Sequence, residues 1–200
     1  MVAIEVSLPD SGRIEVGDTL HPRARAIDGR GDSTAAVIVW SALDTTIRVV
    51  DSFAGTTVGR FAGMTGRLQT RTGNLRSNPI TISVLAPLDS IKASSPVRDT
   101  VTLSTPDSLS DSLRVSAFAP TGSAAGRKVA LAITFPVGGA GLTLIPGDTV
   151  RTSAAGIAIF QVRLTGAPRP DSCLIAATAR RANGTTVPGS PVTFVVEFRP

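Results

Sequence analysis

The sequence has very little of the residue types on which most catalytic and metal sites depend. Among its 200 residues there is no tyrosine, and cysteine, histidine and tryptophan occur once each. One cysteine excludes an intrachain disulfide, and one histidine with one cysteine supplies neither a catalytic triad nor a zinc site. The three glutamates are scattered through predicted strands. We therefore expect no enzyme, cofactor or metal site, and only a carboxylate pair brought together by folding leaves a route to catalysis.

Long apolar runs and helical periodicity are also missing. No segment approaches the roughly 20 apolar residues of a membrane-spanning helix. Met1 is followed directly by VAIEVSL, which alternates like a strand and is unlike a signal peptide. Hydrophobic residues make up 42% of the chain, with frequent glycine and proline. This composition favours strands and turns and predicts a soluble, all-β chain.

An internal repeat divides the chain. The segment GDTLHPRARAIDG (17–29) aligns without gaps to SDSLRVSAFAPTG (110–122), and at the same offset Gly63 falls on Gly156. Both copies end in similar strands, PITISV (79–84) and PVTFVV (191–196). We predict two tandem domains, 1–86 and a longer 87–200, with a short linker near LAPLDS (85–90).

Turn signals every eight to twelve residues are typical of β-sandwiches. In the first domain they bound predicted strands at 2–8, 13–16, 19–27, 35–41, 46–50, 56–61, 66–71 and 79–85. In the second the predicted strands are 88–94, 98–103, 109–119, 127–135, 141–145, 148–152, 155–164, 172–181 and 191–198.

Several of these segments resemble a known family. The pattern VGDT (16–19), ARAIDG (24–29), VIVW (37–40) and the final ITISV is similar to bacterial immunoglobulin-like domains of the intimin and invasin type. DSLRVSAFAPTGSAAGRKVALAI (111–133) with TVRTSAAGIAIFQVRL (149–164) resembles a related member. The resemblance implies two tandem immunoglobulin-like sandwiches that serve as rigid spacers or binding modules. Unlike the adhesin members, the chain shows no anchor or sorting signal.

The basic charge lies mainly in the second half. The formal net charge is +5; residues 1–86 contain nine basic and eight acidic side chains, and residues 87–200 contain eleven and seven. No basic cluster is interleaved with aromatics, so we expect no nucleic-acid binding. The candidate interaction surface consists of Arg23, Arg25, Arg127, Lys128, Arg180 and Arg181. Acidic protein loops or anionic lipid headgroups are the partners that such a surface would bind.

The segment DGRGDS (28–33) contains Arg30-Gly31-Asp32, a tripeptide known from integrin ligands. Its glycines and aspartates are also ordinary turn residues, and we interpret it as a turn between two strands. Asp28 with Asp32, or Asp107 with Asp111, could contribute to a calcium site, but neither pair has the spacing of a calcium loop.

The rare residues have structural interpretations. Trp40 ends an apolar strand where immunoglobulin-like sandwiches place a core tryptophan. Cys173, within DSCLIAATA, is predicted to be a buried thiol. His21 is predicted to lie on a surface strand beside Arg23 and Arg25.

These observations predict a non-catalytic structural or docking protein. The preferred hypothesis is an extracytoplasmic, membrane-extrinsic subunit that bridges or stabilises a larger bacterial envelope complex, such as a photosynthetic or respiratory membrane complex. The alternatives are a cell-surface adhesin, a polysaccharide-binding module, which would need exposed aromatics along one sheet, and a phage decoration or tail protein.

Overall fold

The computed structural model describes residues 2–103, 108–167 and 169–199. The chain forms two compact units, Met1–Pro87 and Leu88–Pro200. Within the described ranges there is no α-helix, and the only helical elements are 3₁₀ turns at Pro9–Gly12 and Val137–Gly139. The all-β prediction is confirmed. No helix in these ranges is long and apolar enough to cross a membrane.

Unit 1 contains eleven strands arranged in three small sheets. The sheet orders are β1-β4-β5, β10-β9-β11-β2 with β6 also on β9, and β3-β8-β7. Their bounds are β1 Ala3–Ser7, β2 Arg13–Glu15, β3 Thr19–Leu20, β4 Arg23–Ile27, β5 Ser33–Thr34, β6 Val39–Ala42, β7 Ile47–Asp51, β8 Thr56–Gly59, β9 Met64–Thr72, β10 Leu75–Arg76 and β11 Ile80–Leu85.

The core of unit 1 is built from alternate residues of strands in different sheets. Trp40 on β6 is buried with Ile47 on β7, Leu68 on β9 and Ile82 on β11. In a strand, alternate side chains point to one face, so each strand buries one side and leaves the other in solvent. The predicted core position of Trp40 matches its burial.

Unit 2 contains eleven strands in two sheets. One has the order β12-β15-β20-β14, with β16 on β15 and β18 on β20; the other is β13-β22-β21-β17-β19. Their bounds are β12 Ser90–Ala93, β13 Arg98–Thr102, β14 Ser108–Leu109, β15 Leu113–Ala119, β16 Gly122–Ser123, β17 Lys128–Phe135, β18 Leu142–Ile145, β19 Thr149–Arg151, β20 Ile157–Leu164, β21 Ser172–Thr178 and β22 Val192–Arg199.

The two sheets of unit 2 pack face to face. Phe160 on β20 and Phe194 on β22 are both buried, and their rings meet edge to face with centroids 5.4 Å apart. This contact between one sheet and the other defines a β-sandwich. Each unit also pairs an early strand in parallel with its last strand, β2 with β11 and β13 with β22.

The observed strands differ from the predicted ones in two main ways. Two predicted strands are divided: 19–27 is split into β3 and β4 at His21 and Pro22, because proline has no N–H to donate to a ladder, and 109–119 is divided into β14 and β15. The two-residue strands β5, β10 and β16 were not predicted, since so short a segment has no visible alternation.

Candidate functional site: a cationic sheet face

The predicted arginine pair on β4 lies on the surface of unit 1. Arg23 and Arg25 are both exposed and alternate with less exposed alanines, so they share one face of the strand. On the neighbouring strand β1, Glu5 pairs with Arg25 in register, and its carboxylate accepts a hydrogen bond from the guanidinium at 2.5 Å. A shallow groove of 390 Å³ runs along Glu5, Ser7, Arg23 and Arg25. Because Glu5 neutralises Arg25, the pair is only weakly cationic.

The predicted surface position of Arg127 is wrong. Arg127 is 6% exposed, although the adjacent Lys128 is exposed. Its backbone N–H donates to Thr152 Oγ1 at 2.8 Å, and its carbonyl accepts from the Thr152 N–H at 2.9 Å. The alternation of β17 places Arg127 on the same side as the buried Val129. The side chain is therefore part of the interior of the sandwich and cannot contribute to a docking surface.

Arg180 and Arg181 are engaged in local structure. The Arg180 guanidinium donates to the carbonyl of Gly184 at 3.0 Å. Arg181 is half-buried, and its Nε donates to the carbonyl of Leu88 at 2.9 Å. Both side chains use part of their hydrogen-bonding capacity to hold loops, so they are poor candidates for binding a partner.

A different set of cations forms a continuous surface on unit 2. The sheet that contains β12, β15 and β20 turns three basic side chains outward: Lys92, Arg114 and Arg163. Ile157 and Ile159 lie on the same side of β20 as Arg163. We call this surface the cationic face and define it by Lys92, Arg114, Arg163, Ile157 and Ile159.

The register of the strands brings these residues together. Lys92 pairs with Ser116 on β15, which pairs in turn with Ile157 on β20. Arg114 pairs with Ile159. Arg163 follows four residues later on β20, about 13 Å further along the strand. The cationic face is therefore about 20 Å long. Lys92 and Ile157 lie at one end, Arg114 and Ile159 lie next to them, and Arg163 lies at the other end.

The cationic face differs from the other charged surfaces in the number of acidic residues beside its basic side chains. None of the described strands in its sheet, β12, β14, β15, β16, β18 and β20, contains an aspartate or glutamate. On the opposite sheet, Glu197 forms ion pairs with Arg199 at 2.6 Å and with Arg98 at 3.6 Å, which lower the pKa of its carboxyl. The nearest acidic residues in sequence, Asp89 and Asp111, lie outside these strands.

Neighbouring residues of the sheet contact two of the three cations. The Lys92 ammonium lies over the ring of Phe118, 4.9 Å from the centroid. Arg163 is half-buried, and its Nε is shielded from solvent without a hydrogen-bond acceptor among the described residues. A guanidinium tolerates this position because its charge is delocalised and weakly hydrated. Ile159 is 47% exposed, so part of this surface is apolar.

Sequence reasoning missed this face although part of the signal was present. The alternation in LRVSAFA and IAIFQVRL places Arg114 and Arg163 on the solvent sides of their strands. Nothing in the sequence, however, shows that β12, β15 and β20 are neighbours or sets their register. The predicted surface relied instead on basic residues that are adjacent in sequence.

The DGRGDS segment forms the turn between β4 and β5, as predicted. Asp28 Oδ1 accepts hydrogen bonds from the N–H groups of Arg30 at 2.8 Å and Asp32 at 3.0 Å. These two bonds lower the pKa of the Asp28 carboxyl. Gly31 has a φ of 91°, a conformation that favours glycine. Arg30 and Asp32 are exposed at the tip of the turn.

The metal and nucleophile hypotheses find little support. In the described ranges no group of three or more His, Cys, Asp or Glu side chains could hold a metal ion. The Asp28 carboxyl already accepts hydrogen bonds from backbone N–H groups of its own turn, and Asp107 lies outside the described residues. Cys173 is completely buried, and desolvation raises the pKa of its thiol to about 11, which makes it a poor nucleophile. His21 is exposed, in the break between β3 and β4 rather than on a strand.

A sugar-binding platform requires aromatic rings along one exposed face. Trp40 is 4% exposed and cannot stack on a ligand. The exposed Phe53 and Phe61 lie in the turns at the two ends of β8. A second groove, of 450 Å³, lies between β17 and β18 and is lined by aliphatic side chains such as Ile133, Leu142 and Leu144. It has one titratable lining residue, Asp148.

Comparison with solved structures finds bacterial proteins of low sequence identity. The adhesin InvE of Yersinia pseudotuberculosis is 18% identical over 96% of this chain and 58% of that chain, with a TM-score of 0.42. The D00-D0 domain of intimin is 15% identical over 98% and 100%, with a TM-score of 0.38. Fibronectin(III)-like modules of Clostridium thermocellum CbhA are 13% identical over 98% and 94%, with a TM-score of 0.42.

The likeness concerns the fold and assigns no activity to this chain. The chain spans 58% of the length of the InvE chain. No family model matches the sequence, and no curated protein matches it.

Proposed function

We propose that this protein is a non-catalytic docking subunit of a bacterial envelope assembly, and that it binds through the cationic face. The observation that supports this most strongly is a sheet surface with three outward basic side chains and no carboxylate on its strands.

The proposed location is the extracytoplasmic side of a membrane, with the protein extrinsic to an integral-membrane complex. A photosynthetic or respiratory complex is one setting in which such a subunit bridges or stabilises its neighbours. The partner surface would be acidic, because a cationic face attracts carboxylates and repels other basic surfaces. Anionic lipid headgroups around the complex offer the same charge.

The sandwich architecture suits this role. Each unit has its own buried core, so the outward side chains of β12, β15 and β20 are held on a rigid sheet. Pre-ordered side chains lose less conformational entropy on binding than side chains in mobile loops.

Affinity purification of the tagged protein from gently solubilised membranes of its own organism tests the proposal. We expect one integral-membrane complex to be recovered in stoichiometric amount, as measured by mass spectrometry. Recovery of the protein alone, under conditions that preserve membrane complexes, contradicts the docking function.

The exposed turn at Arg30-Gly31-Asp32 favours one second candidate, cell adhesion. Neither the Arg30 nor the Asp32 side chain takes part in the hydrogen bonds that hold the turn, which involve Asp28 and backbone groups. Animal cells should then attach to a surface coated with the protein. An Asp32→Ala variant removes the carboxylate but keeps the backbone bonds, so equal attachment to both proteins excludes this candidate.

A further inference from the structure

We propose that the ligand of the cationic face is the anionic lipid bilayer around the complex, which the face contacts directly. This inference rests on the proposed function and names lipid as a ligand of the same surface. Three features favour a bilayer over an acidic protein as the ligand of this face. They are the arrangement of the cations, the shape of the surface and its apolar residues.

The cations are dispersed rather than focused. Lys92, Arg114 and Arg163 lie on three different strands and span about 20 Å along the sheet. Carboxylates on a protein partner would have to match these positions individually. A bilayer containing anionic lipids presents mobile charges that move to each cation, so dispersed basic residues bind it without a fixed register.

Neither of the two grooves described above lies on the cationic face. They lie on β1 and β4 of unit 1 and between β17 and β18 of unit 2, so neither is lined by Lys92, Arg114 or Ile159. An open sheet face can lie against a bilayer, whereas recognition of a peptide segment normally uses a groove or an open strand edge. Lysine is also depleted from protein interfaces, and Lys92 is one of the three cations.

The apolar side chains on this face fit the interfacial region of a bilayer. Ile157 and Ile159 lie on the same side of β20 as Arg163, Ile159 is in register with Arg114, and Ile159 is 47% exposed. Peripheral membrane surfaces combine apolar side chains with basic residues that contact the headgroups. Lysine and arginine can keep their charged ends at headgroup level while their alkyl stems lie along apolar neighbours.

Binding to vesicles of defined composition tests the proposal. The full-length protein is mixed with vesicles of phosphatidylcholine alone or with about 30% phosphatidylglycerol, and the bound fraction is measured by sedimentation. We expect binding only to the anionic vesicles, with a steep decrease as the salt concentration rises.

A charge-matched pair of variants separates the face from the overall charge of the protein. Lys92→Gln with Arg114→Gln removes two exposed cations of the face, and each should weaken binding about fivefold, for a combined loss of about 25-fold. Arg23→Gln with Arg30→Gln removes two exposed cations from unit 1 and gives the same net charge. This control should change binding by less than about threefold.

Two outcomes overturn the inference. Equal losses in the two double variants mean that binding reflects only the net charge of the protein. No binding to anionic vesicles, combined with recovery of a membrane complex in the purification described above, means that the face binds protein and leaves the docking function standing. Vesicle binding without recovery of a complex supports the lipid assignment and counts against the proposed complex.

Discussion

The indole ring of Trp40 packs directly against the backbone of Gly55. A Cβ atom at position 55 would lie 2.7 Å from Trp40 Cε2 and 2.8 Å from Nε1, closer than side-chain atoms can approach. Trp40 is 4% exposed and packed in the core of unit 1, so its ring cannot move aside. The turn between β7 and β8 therefore requires glycine at position 55, because any larger residue there would collide with the indole ring of Trp40.

A Gly55→Ala substitution should destabilise unit 1 by about 2–4 kcal/mol, because it adds overpacking to an unfavourable backbone conformation at φ 74°. Trp40 is the only tryptophan in the sequence, so its fluorescence during denaturation reports on unit 1 alone. Gly63→Ala is the matched control, since Gly63 has a φ of 77° and no atom within 4 Å of its added Cβ. It should lose about 1 kcal/mol. Equal losses would show that the contact with Trp40 is unimportant.

Gly189 occupies a comparable position in unit 2. An added Cβ would lie 2.0 Å from the carbonyl oxygen of Ile91, which is backbone on β12. Gly189→Ala should destabilise unit 2 by about 3 kcal/mol or more. The rate at which a thiol reagent labels the buried Cys173 measures this opening, with Gly184→Ala as a control that has a similar φ and no close atom. The prediction is contradicted if both variants label at the same rate.

Cys173 should make the stability of unit 2 sensitive to alkaline pH. Desolvation raises the pKa of its thiol from 9.0 to about 11, so the folded state disfavours the thiolate. The stabilisation is complete below the unfolded pKa of 9.0 and is lost as pH rises towards 11. Denaturant midpoints of unit 2 should decline more steeply over this range in the native protein than in Cys173→Ala. Parallel pH profiles would mean that the thiol does not titrate on unfolding.

The turn at Asp28 should loosen in acid. Hydrogen bonds from the Arg30 and Asp32 N–H groups lower the pKa of the Asp28 carboxyl below 3.8, so they stabilise the turn above that pH and weaken as pH falls through the lowered pKa. Amide exchange of Arg30 and Asp32, followed by NMR, should accelerate in Asp28→Ala. Asp28→Asn keeps an oxygen acceptor and should retain most of the protection. Unchanged exchange in Asp28→Ala would show that these bonds do not hold the turn.

The sequence predicted the strands better than it predicted the surface. Alternation depends only on neighbouring residues, so segments such as ITISV and IAIFQVRL identified strands and a buried Trp40 from local pattern. Basic residues were assigned to a surface because they were adjacent in sequence. Arg127 shows why this assignment failed. Its side chain is buried because its backbone pairs with Thr152, and this contact joins residues 25 positions apart in the sequence.

The cationic face could not have been predicted without the strand order. Lys92, Arg114 and Ile157 are far apart in the sequence and become neighbours only when β12 and β20 pair on either side of β15. Long-range pairing of this kind is fixed by the packing of whole sheets rather than by local preference. The carboxylates that neutralise other arginines, such as Glu5 beside Arg25, are hidden from sequence reasoning for the same reason.

The central claim is that the cationic face attaches the protein to an envelope assembly. The most direct measurement is rebinding of the purified protein to salt-washed membranes of its own organism, compared among the native protein, Lys92→Gln with Arg114→Gln, and Arg23→Gln with Arg30→Gln. We predict saturable binding that is lost in the first double variant and retained in the second. Retention of full binding by the Lys92 and Arg114 variant would contradict the assignment of this face as the docking surface.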